Sequence, residues 1–309
     1  MSARVTTTRE MLANGIRRLA ASPARGASAT SDARELLSRL LNVAPAALAH
    51  AHAPLDEDIV RRWERWITRR LAGEPVQYIT GRAAFRSLDL AVNPRVLIPR
   101  PETEVLVECV LEALRAGAAS RPHPRVLDLG TGSGAIALAI AMEFRAARVT
   151  ATDASAAALE VARANAEALD LSARVRFSSG DWFAAPGAEE RFDVVVSNPP
   201  YIAEAERGEL PEDVRDHEPA IALFSGADGT EALREIVDEA PRHLVAGGLL
   251  ALELAENRAH AIRAWLEGAP EWEGAELRPD LAGSPRVLLA RRARGPAIAP
   301  EQWEEEAPR

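Results

Sequence analysis

A glycine-rich turn in the middle of the chain has the residue types needed to receive a nucleotide-like ligand. The apolar run Val126–Leu129, which contains Asp128, leads directly into this turn. The turn reads Gly130-Thr131-Gly132-Ser133-Gly134. Glycines at such a place let the backbone bend tightly and let a ligand approach the main chain. The spacing is not the G-x-G-x-x-G of dinucleotide enzymes, and the absence of lysine excludes a phosphate-binding P-loop.

Acidic side chains follow the next two predicted strands. Asp153 closes the second strand and is placed to accept hydrogen bonds from both ribose hydroxyls of an adenosine; it could also cap the helix that begins near Ala156, and the two roles are compatible. Asp181-Trp182 follows the third strand, where the carboxylate would bind an adenine amino group and the indole would cover the ring. The alternative is that Trp182 only fills a loop. Asp128 either anchors the glycine turn or reaches the charged amino-acid end of the ligand.

The fourth predicted strand ends in a second motif that could hold a ligand. It reads Ser197-Asn198-Pro199-Pro200-Tyr201. Ligands of open α/β sheets bind at the carboxyl ends of strands, and two prolines hold the side chain and carbonyls near Asn198 in one arrangement. The competing interpretation is an ordinary turn, because Asn-Pro is a common turn dipeptide.

The elements that must position these motifs alternate between strand and helix from about residue 99. Apolar strand patterns over 126–129, 147–152, 175–178, 192–197, 248–254 and 286–290 are separated by helical ones over 135–143, 156–169, 230–244 and 258–267. This alternation predicts an α/β fold with a mostly parallel sheet covered on both faces. We assign residues 99–292 to this domain.

The remaining segments differ in pattern from the α/β part. Residues 1–81 show three helical stripes and predict a small helical domain, in which Trp63 and Trp66 are expected to pack in the core. Residues 82–98 alternate apolar positions around Asn93-Pro94 and predict a β-hairpin linker. Residues 293–309 are rich in Pro and Glu and predict a disordered tail.

The composition excludes several classes of protein. The net charge of −9 and the pI near 5.4 argue against a protein that binds nucleic acid non-specifically. A single cysteine, Cys109, permits neither an intrachain disulfide nor a thiolate metal cluster, and the six histidines are scattered, so no metal site is expected. The sequence shows no membrane span and no signal peptide, which favours a cytoplasmic protein.

Together these motifs resemble the amino-methyltransferases that use S-adenosylmethionine, and flanking segments narrow the resemblance. Residues 73–81 read GEPVQYITG, residues 96–104 read VLIPRPETE, and His217-Glu218-Pro219 follows the Asn198 motif. This combination resembles the HemK/PrmC-type release-factor glutamine methyltransferases over residues 30–291. The resemblance implies a Rossmann-like class I S-adenosylmethionine methyltransferase sheet, joined through the hairpin to the helical domain, and a monomer.

The resemblance also implies an activity and its residues. The reaction is methylation of N5 of the glutamine in the Gly-Gly-Gln motif of peptide chain release factors, which the helical domain helps to dock. The cofactor contacts that carry over from the family are Gly130 through Gly134, Asp153, Trp182 and Asn198, to which the positions of Asp128 and Asp181 in the sequence add two further candidates. Substrate contacts would come from Asn198, Pro199, Pro200 and Tyr201, of which Asn198, Pro199 and Tyr201 carry the catalysis.

The residue types suit that chemistry. A carboxamide nitrogen is a poor nucleophile, and two acceptors, the Asn198 side-chain oxygen and the Pro199 carbonyl, would orient its two N–H bonds and stabilise the charge that develops. Tyr201 would pack against the planar amide. No strong base is required, so His217 is expected to have a structural role in its loop rather than act as a general base.

Two other functions remain open on the sequence alone. Methylation of adenine N6 in DNA or guanine N2 in RNA also uses an Asn/Asp-Pro-Pro-aromatic loop, on which a flipped base would stack. A binding protein that kept only the cofactor pocket is the second. The chain departs from the usual Glu-Ile-Gly of the family at Glu253-Leu254-Ala255, which questions the local backbone geometry.

Overall fold

The computed structural model describes residues 7–22, 27–50, 55–117, 120–185, 187 and 189–294. The predicted disordered tail lies almost wholly outside these residues. No helix in the described ranges is both long and apolar enough to cross a lipid bilayer.

The amino-terminal part is helical, as the sequence predicts. Its elements are α1 (Thr8–Ala20), α2 (Ala29–Leu41), a 3₁₀ turn (Pro45–His50), α3 (Glu57–Leu71) and α4 (Val76–Thr80). Thr7 and Asp56 cap α1 and α3 through their side chains. Trp63 is buried as expected, and a side chain at Gly15 would collide with its ring, so α1 and α3 pack closely. Trp66 is only partly buried and packs at the margin of this core.

The structure contains the β-hairpin that the sequence predicts, but the turn lies at a different position. The strands are β1 (Arg82–Phe85) and β2 (Leu88–Ala91), so the chain turns at 86–87 and not at Asn93-Pro94. Arg86 has φ 51°, and its backbone N–H and guanidinium are held by carboxylates of neighbouring helices. Pro94 lacks the backbone N–H that a hydrogen bond between strands requires. Residues 92–98 form a loop, and its apolar side chains pack against the helix that contains Ala158 and Val161.

The larger part of the chain contains a seven-stranded sheet. Its strands are β3 (Arg125–Leu129), β4 (Arg148–Asp153), β5 (Val175–Ser179), β6 (Phe192–Ser197), β7 (Leu244–Glu253), β8 (Trp272–Pro279) and β9 (Pro285–Arg292). Their order is β5-β4-β3-β6-β7-β9-β8. The first five are parallel, and β9 runs antiparallel to both of its neighbours. The sequence predicts every strand of this sheet except β8. Most β8 side chains are exposed or charged, so the alternation of apolar residues that indicates a strand is not evident there.

Helices cover both faces of the sheet. They are α5 (Pro101–Gly117), α6 (Ala135–Glu143), α7 (Ala156–Ala168), α8 (Glu212–His217), α9 (Ala220–Leu223), α10 (Glu231–His243) and α11 (Glu256–Glu267). Successive strand residues enter opposite layers: Val126 packs with α5 and α6, whereas Leu127 packs with α10 and α11. The sequence reading did not identify α5, α8 or α9.

Polar contacts fix the helical part and the hairpin against the sheet domain. The Asn165 side chain of α7 accepts from the Ala91 backbone N–H at 2.7 Å and donates to the Ala91 carbonyl at 3.0 Å. The buried Arg70 of α3 pairs with Asp32 at 2.7 Å and reaches Asp213 of α8 at 3.6 Å. The helical part therefore contacts the segment that follows the Asn198 motif.

Candidate active site

The predicted site residues meet at the carboxyl edge of the parallel strands. Leu129, the last residue of β3, pairs with Thr152 of β4 on one side and with Ser197 of β6 on the other. The glycine turn, Asp153 and the Asn198 motif therefore start at the same edge. Later strands are added on opposite sides of β3, and open α/β sheets bind ligands at such a point.

A pocket with about 690 Å³ of empty space, part of it open to solvent, lies at this edge. Seven of the predicted residues lie on its wall: Gly130, Gly132, Asp153, Asp181, Trp182, Asn198 and Pro200. Two loops also line it, through residues 95–97 before α5 and through Pro219, Ile221 and Ala222 around α9. The other six predicted residues shape the two motifs from outside the wall.

The glycine turn requires glycine for two different reasons. Gly130, Gly132 and Gly134 have φ values of 69°, 55° and 85°, which other residues rarely adopt. A Cβ at Gly134 would lie 3.0 Å from Leu138 Cδ1, whereas nothing lies within 4 Å of one at Gly132. The end of the turn is therefore packed on α6, while its middle leaves the backbone open to a ligand.

Asp128 is fully buried beneath the turn. Its Oδ2 accepts from the Thr131 hydroxyl at 2.6 Å and from the Ala137 backbone N–H at 3.2 Å, and its Oδ1 has no partner among the described residues. Burial raises the pKa of this carboxyl to about 7, against the effect of the two hydrogen bonds. Of the two expected roles, the geometry favours anchoring of the turn.

Asp153 lies on the pocket wall and joins two loops. Its carboxylate accepts from the backbone N–H groups of Gly132 and Ser155, each at 2.8 Å. The N-cap of α7 is Ser155, whose hydroxyl accepts a hydrogen bond from the Ala158 backbone N–H. The helix-capping role considered for Asp153 is therefore filled by Ser155. Burial raises the Asp153 pKa, and the two backbone bonds lower it. The remaining lone pairs of the carboxylate can accept from ligand hydroxyls.

Asp181 and Trp182 line the pocket beside the glycine turn. Asp181 is exposed, and Trp182 is half-buried with φ 36°, an uncommon conformation for a side chain of its size. Its ring lies 3.7 Å from the position of a Cβ on Gly130. The indole therefore contacts the glycine turn and borders the pocket, where it can stack on a flat ligand, and it also packs against the apolar core of the α10 and α11 layer.

The Asn198 motif is tied to two elements behind it. The Asn198 Nδ2 donates to the Thr103 hydroxyl oxygen of α5 at 3.1 Å, and the Tyr201 hydroxyl donates to Glu253 Oε1 of β7 at 3.3 Å. Burial raises the pKa of Tyr201, and the nearby Glu253 carboxylate acts in the same direction. The phenol is therefore a neutral hydrogen-bond donor at physiological pH.

Thr103 and Glu253 have no role in the sequence reading beyond their place in quoted motifs. Glu253 is buried, and burial raises its pKa to about 7, while hydrogen bonding to Thr103, the Arg286 charge and the Tyr201 hydroxyl lower it. The signal that could have revealed it is a carboxylate at the end of an apolar strand beside β6. Ala255, where the family has glycine, has φ −73° and ψ 146°, so no glycine is needed there.

Glu218 joins the two loops, before α5 and around α9, that line the pocket together with the glycine turn. Its buried carboxylate accepts from the Ile98 backbone N–H at 3.1 Å and pairs with the Arg100 guanidinium. Burial raises its pKa, and Arg100 opposes this rise. His217, beside it, ends α8. Within the described ranges, no three His, Cys, Asp or Glu side chains are grouped to hold a metal ion.

The sheet order with its single reversed strand, and the glycine turn beside an Asn-Pro-Pro-Tyr motif, define a class I methyltransferase dependent on S-adenosylmethionine. Residues 102–211 match the family model "Methyltransferase small domain", and residues 10–81 match "PrmC N-terminal domain". The hMettl16 catalytic domain, in complex with MAT2A 3′UTR hairpin 6, shares the fold with a TM-score of 0.54 at 13% identity, over 79% of this chain and 84% of that one.

The chain belongs to the release factor glutamine methyltransferase family. It is 46% identical to the release factor glutamine methyltransferase of Bordetella pertussis, over 83% of this chain and 92% of that protein. It is 42% identical to that of Moorella thermoacetica, over 93% of this chain and 99% of that protein. The fold and family predicted from the sequence are thereby confirmed.

Proposed function

We propose that this protein transfers a methyl group from S-adenosylmethionine to N5 of the glutamine in the Gly-Gly-Gln motif of peptide chain release factors. The observation that carries the proposal is that Asn198 and Pro200 line the same pocket as Gly130, Gly132 and Asp153. A methyl donor held on the glycine turn would lie beside the motif that orients the acceptor. Whole-length relatedness to release factor glutamine methyltransferases supports this substrate.

The pocket residues fit the cofactor. The open backbone at Gly132 accommodates close approach, and the Asp153 carboxylate and the exposed Asp181 offer acceptors for hydroxyl and amino groups. Trp182 would cover the adenine ring, while Asp128, Thr131, Ser133 and Gly134 hold the turn in shape. When bound, S-adenosylmethionine supplies an electrophilic methyl group on its sulfonium sulfur.

The chain contributes orientation and electrostatics to the reaction. Asn198 Oδ1 and the Pro199 carbonyl oxygen accept hydrogen bonds from the two N–H groups of the glutamine amide. These hydrogen bonds orient the nitrogen lone pair and stabilise the positive charge that develops on the nitrogen. Tyr201 packs beside the planar amide. The methylated nitrogen then loses a proton to water, so no residue of the chain has to remove one beforehand.

The domain division supports a protein partner. We assign residues 1–81 to docking of the release factor, 82–98 to the link, and 99–292 to catalysis, because the helical part contacts α8 through Arg70 and Asp213 next to the site. The net charge of −9 supports a substrate that is not a nucleic acid. We further propose that the enzyme acts as a cytoplasmic monomer.

A methyl-transfer assay tests the function. Purified protein is incubated with labelled S-adenosylmethionine and a cognate release factor, followed by mass analysis of the peptides. A gain of one methyl group on the Gly-Gly-Gln glutamine, lost when that glutamine is replaced by alanine, is expected. Transfer to DNA or rRNA instead of release factor would overturn the substrate assignment, and cofactor binding without any transfer would point to a binding protein.

A further inference from the structure

The segment GEPVQYITG, residues 73–81, has no role in the proposed reaction, yet it lies where the helical part meets the sheet domain. Most of it forms α4. Arg69 of α3 donates to the backbone carbonyl oxygens of Tyr78 and Ile79, each at 3.3 Å. The same guanidinium pairs with the Glu74 carboxylate. These contacts fix α4 against α3, so the helical part sets the position of Tyr78.

The Tyr78 side chain connects α4 to the loop before α5. It is buried, and its hydroxyl donates to the Val96 backbone carbonyl oxygen at 2.6 Å. Burial raises the pKa of the phenol, so the hydroxyl keeps the proton that it donates. The ring belongs to an apolar cluster that joins this loop to α7 and includes Val92, Val96, Ile98, Ala158 and Val161. A buried carbonyl that loses its donor is costly, so this hydrogen bond favours one conformation of the loop.

The loop that accepts this hydrogen bond lines the pocket. Residues 95–97 border the same space as Asp153 and the glycine turn. Farther along the loop, the Ile98 backbone N–H donates to the Glu218 carboxylate at 3.1 Å. The loop is therefore held at two points, by the helical part at Val96 and by the segment before α9 at Ile98.

We propose that Tyr78 is a positioning residue for the cofactor, through which the helical part holds residues 95–97 in the conformation that receives S-adenosylmethionine. The three segments that flank the central motifs, residues 73–81, 96–104 and 217–219, meet at this loop. The inference rests on the proposed function for the place of the cofactor. It does not depend on which molecule accepts the methyl group.

Tyr78→Phe tests the role of the hydroxyl because it keeps the ring. The Val96 carbonyl loses its donor, so residues 95–97 should occupy the binding conformation for a smaller fraction of the time. The apparent dissociation constant rises in inverse proportion to that fraction. Kd for S-adenosylmethionine, measured by isothermal titration calorimetry on the full-length protein, should rise about 5- to 20-fold.

Kinetics distinguish this role from a catalytic one. Saturating S-adenosylmethionine restores the bound conformation of the loop, so Tyr78→Phe should keep kcat within about twofold of wild type. KM for S-adenosylmethionine should rise by about the same factor as Kd. A fall in kcat at saturating cofactor, with Kd unchanged, would overturn the inference.

The matched control removes another buried hydroxyl from the helical part. Ser38 of α2 is buried, and its hydroxyl donates to the Glu35 carbonyl oxygen of the same helix at 3.0 Å. Ser38→Ala should leave Kd for S-adenosylmethionine within about twofold of wild type, because the lost bond lies within α2. A wild-type Kd in Tyr78→Phe, or an equal rise in both variants, would show that the hydrogen bond to Val96 does not shape the pocket.

Hydrogen exchange tests the loop without cofactor or substrate. The Val96 backbone N–H donates to the Asn93 carbonyl oxygen at 3.1 Å, and the Ile98 N–H is held by Glu218, so both amides should exchange slowly in wild type. In Tyr78→Phe a peptide spanning residues 92–98 should exchange at least about fivefold faster, while one spanning the glycine turn is unchanged.

The outcomes separate this inference from the proposed function. Equal exchange of residues 92–98 in wild type and Tyr78→Phe would refute the positioning role even if release factor is methylated. Absence of methyl transfer to release factor would refute the proposed substrate. In that case a higher Kd and faster exchange in Tyr78→Phe would still support the positioning role.

Discussion

The backbone N–H of Gly132 donates to Oδ2 of Asp153 at 2.8 Å, which joins the glycine turn after β3 to the end of β4. Asp128 holds the same turn from below through Thr131. The two carboxylates differ in surroundings, because Asp153 borders the pocket while Asp128 is sealed in the core. Their replacement should therefore affect different properties, ligand binding for Asp153 and stability for Asp128.

The Asp128 carboxyl makes stability depend on pH. Its folded-state pKa is about 7 against 3.8 for the ordinary group, so at pH 5 the folded chain holds a proton that the unfolded chain has released. Raising the pH to 7 releases that proton from about half of the folded molecules, and the folded state loses about 2 kcal/mol of stability from this group between the two pH values. Asp128→Asn cannot titrate, so its unfolding free energy should fall by about 2 kcal/mol less than that of wild type between pH 5 and pH 7.

Urea unfolding at the two pH values measures the difference. Each protein is compared with itself at the two pH values, so a loss of stability that the substitution causes equally at both pH values cancels. This includes the cost of placing an amide where Oδ1 has no partner. Glu253 titrates in the same range and is present in both proteins. Identical pH dependence in the two proteins would show that Asp128 is ionised throughout.

Gly134→Ala should destabilise the protein. Its φ of 85° is strained for alanine, which costs about 1–2 kcal/mol, and the new methyl group would lie 3.0 Å from Leu138 Cδ1 and 3.3 Å from the Ala162 methyl. Gly117→Ala at the end of α5 is the matched control, since nothing lies within 4 Å of its Cβ position. Chemical unfolding should show a lower midpoint for the first variant only, and an unchanged midpoint for Gly134→Ala would contradict the packing argument.

Much of this site follows from local sequence because strand ends and glycine turns are local features. The pattern of Val126–Leu129 with Gly130 predicts both the strand and the turn, and parallel strands then bring Asp153 and Asn198 to the same edge. The predicted pocket residues needed no knowledge of distant contacts for that reason. The family motifs add the substrate, which no local pattern contains.

The sequence could not supply contacts between distant segments. Thr103 lies 95 residues from Asn198 and Glu218 lies 120 residues from Ile98, so no spacing rule relates them. The hairpin turn was misplaced because Asn93-Pro94 is a strong turn signal, whereas Arg86 is held in its left-handed conformation by carboxylates of α5 and α6. In each case tertiary interactions outweigh the local preference.

Asn198→Ala should remove most of the catalytic turnover. The variant loses the side-chain oxygen that accepts from the glutamine amide, and loss of one such contact in an acyl-transfer site costs about 2.7–4 kcal/mol, or about 10²–10³ in rate. Single-turnover transfer to a saturating release factor measures the loss. Wild-type turnover in Asn198→Ala would remove Asn198 from the catalytic role.

Glu218→Gln should weaken cofactor binding rather than turnover. The Glu218 carboxylate connects Ile98 and Arg100 to the loop that contains Pro219, and both loops line the pocket together with the glycine turn. A hydrogen bond to a charged group contributes about 1.5–3 kcal/mol, so loosening of this wall should raise Kd for S-adenosylmethionine by about tenfold or more. Isothermal titration calorimetry of the purified protein measures this change.

The control for Glu218 is a carboxylate whose ion pair lies in solvent. Glu267 pairs with Arg263 at 2.8 Å on the surface of α11, and both side chains are about half exposed. Such a pair contributes about 0.3–0.5 kcal/mol, so Glu267→Gln should leave cofactor affinity unchanged. If Glu218→Gln also bound the cofactor as wild type does, the two loops would keep their places through apolar packing alone, and the ion pair would contribute to stability without shaping the pocket.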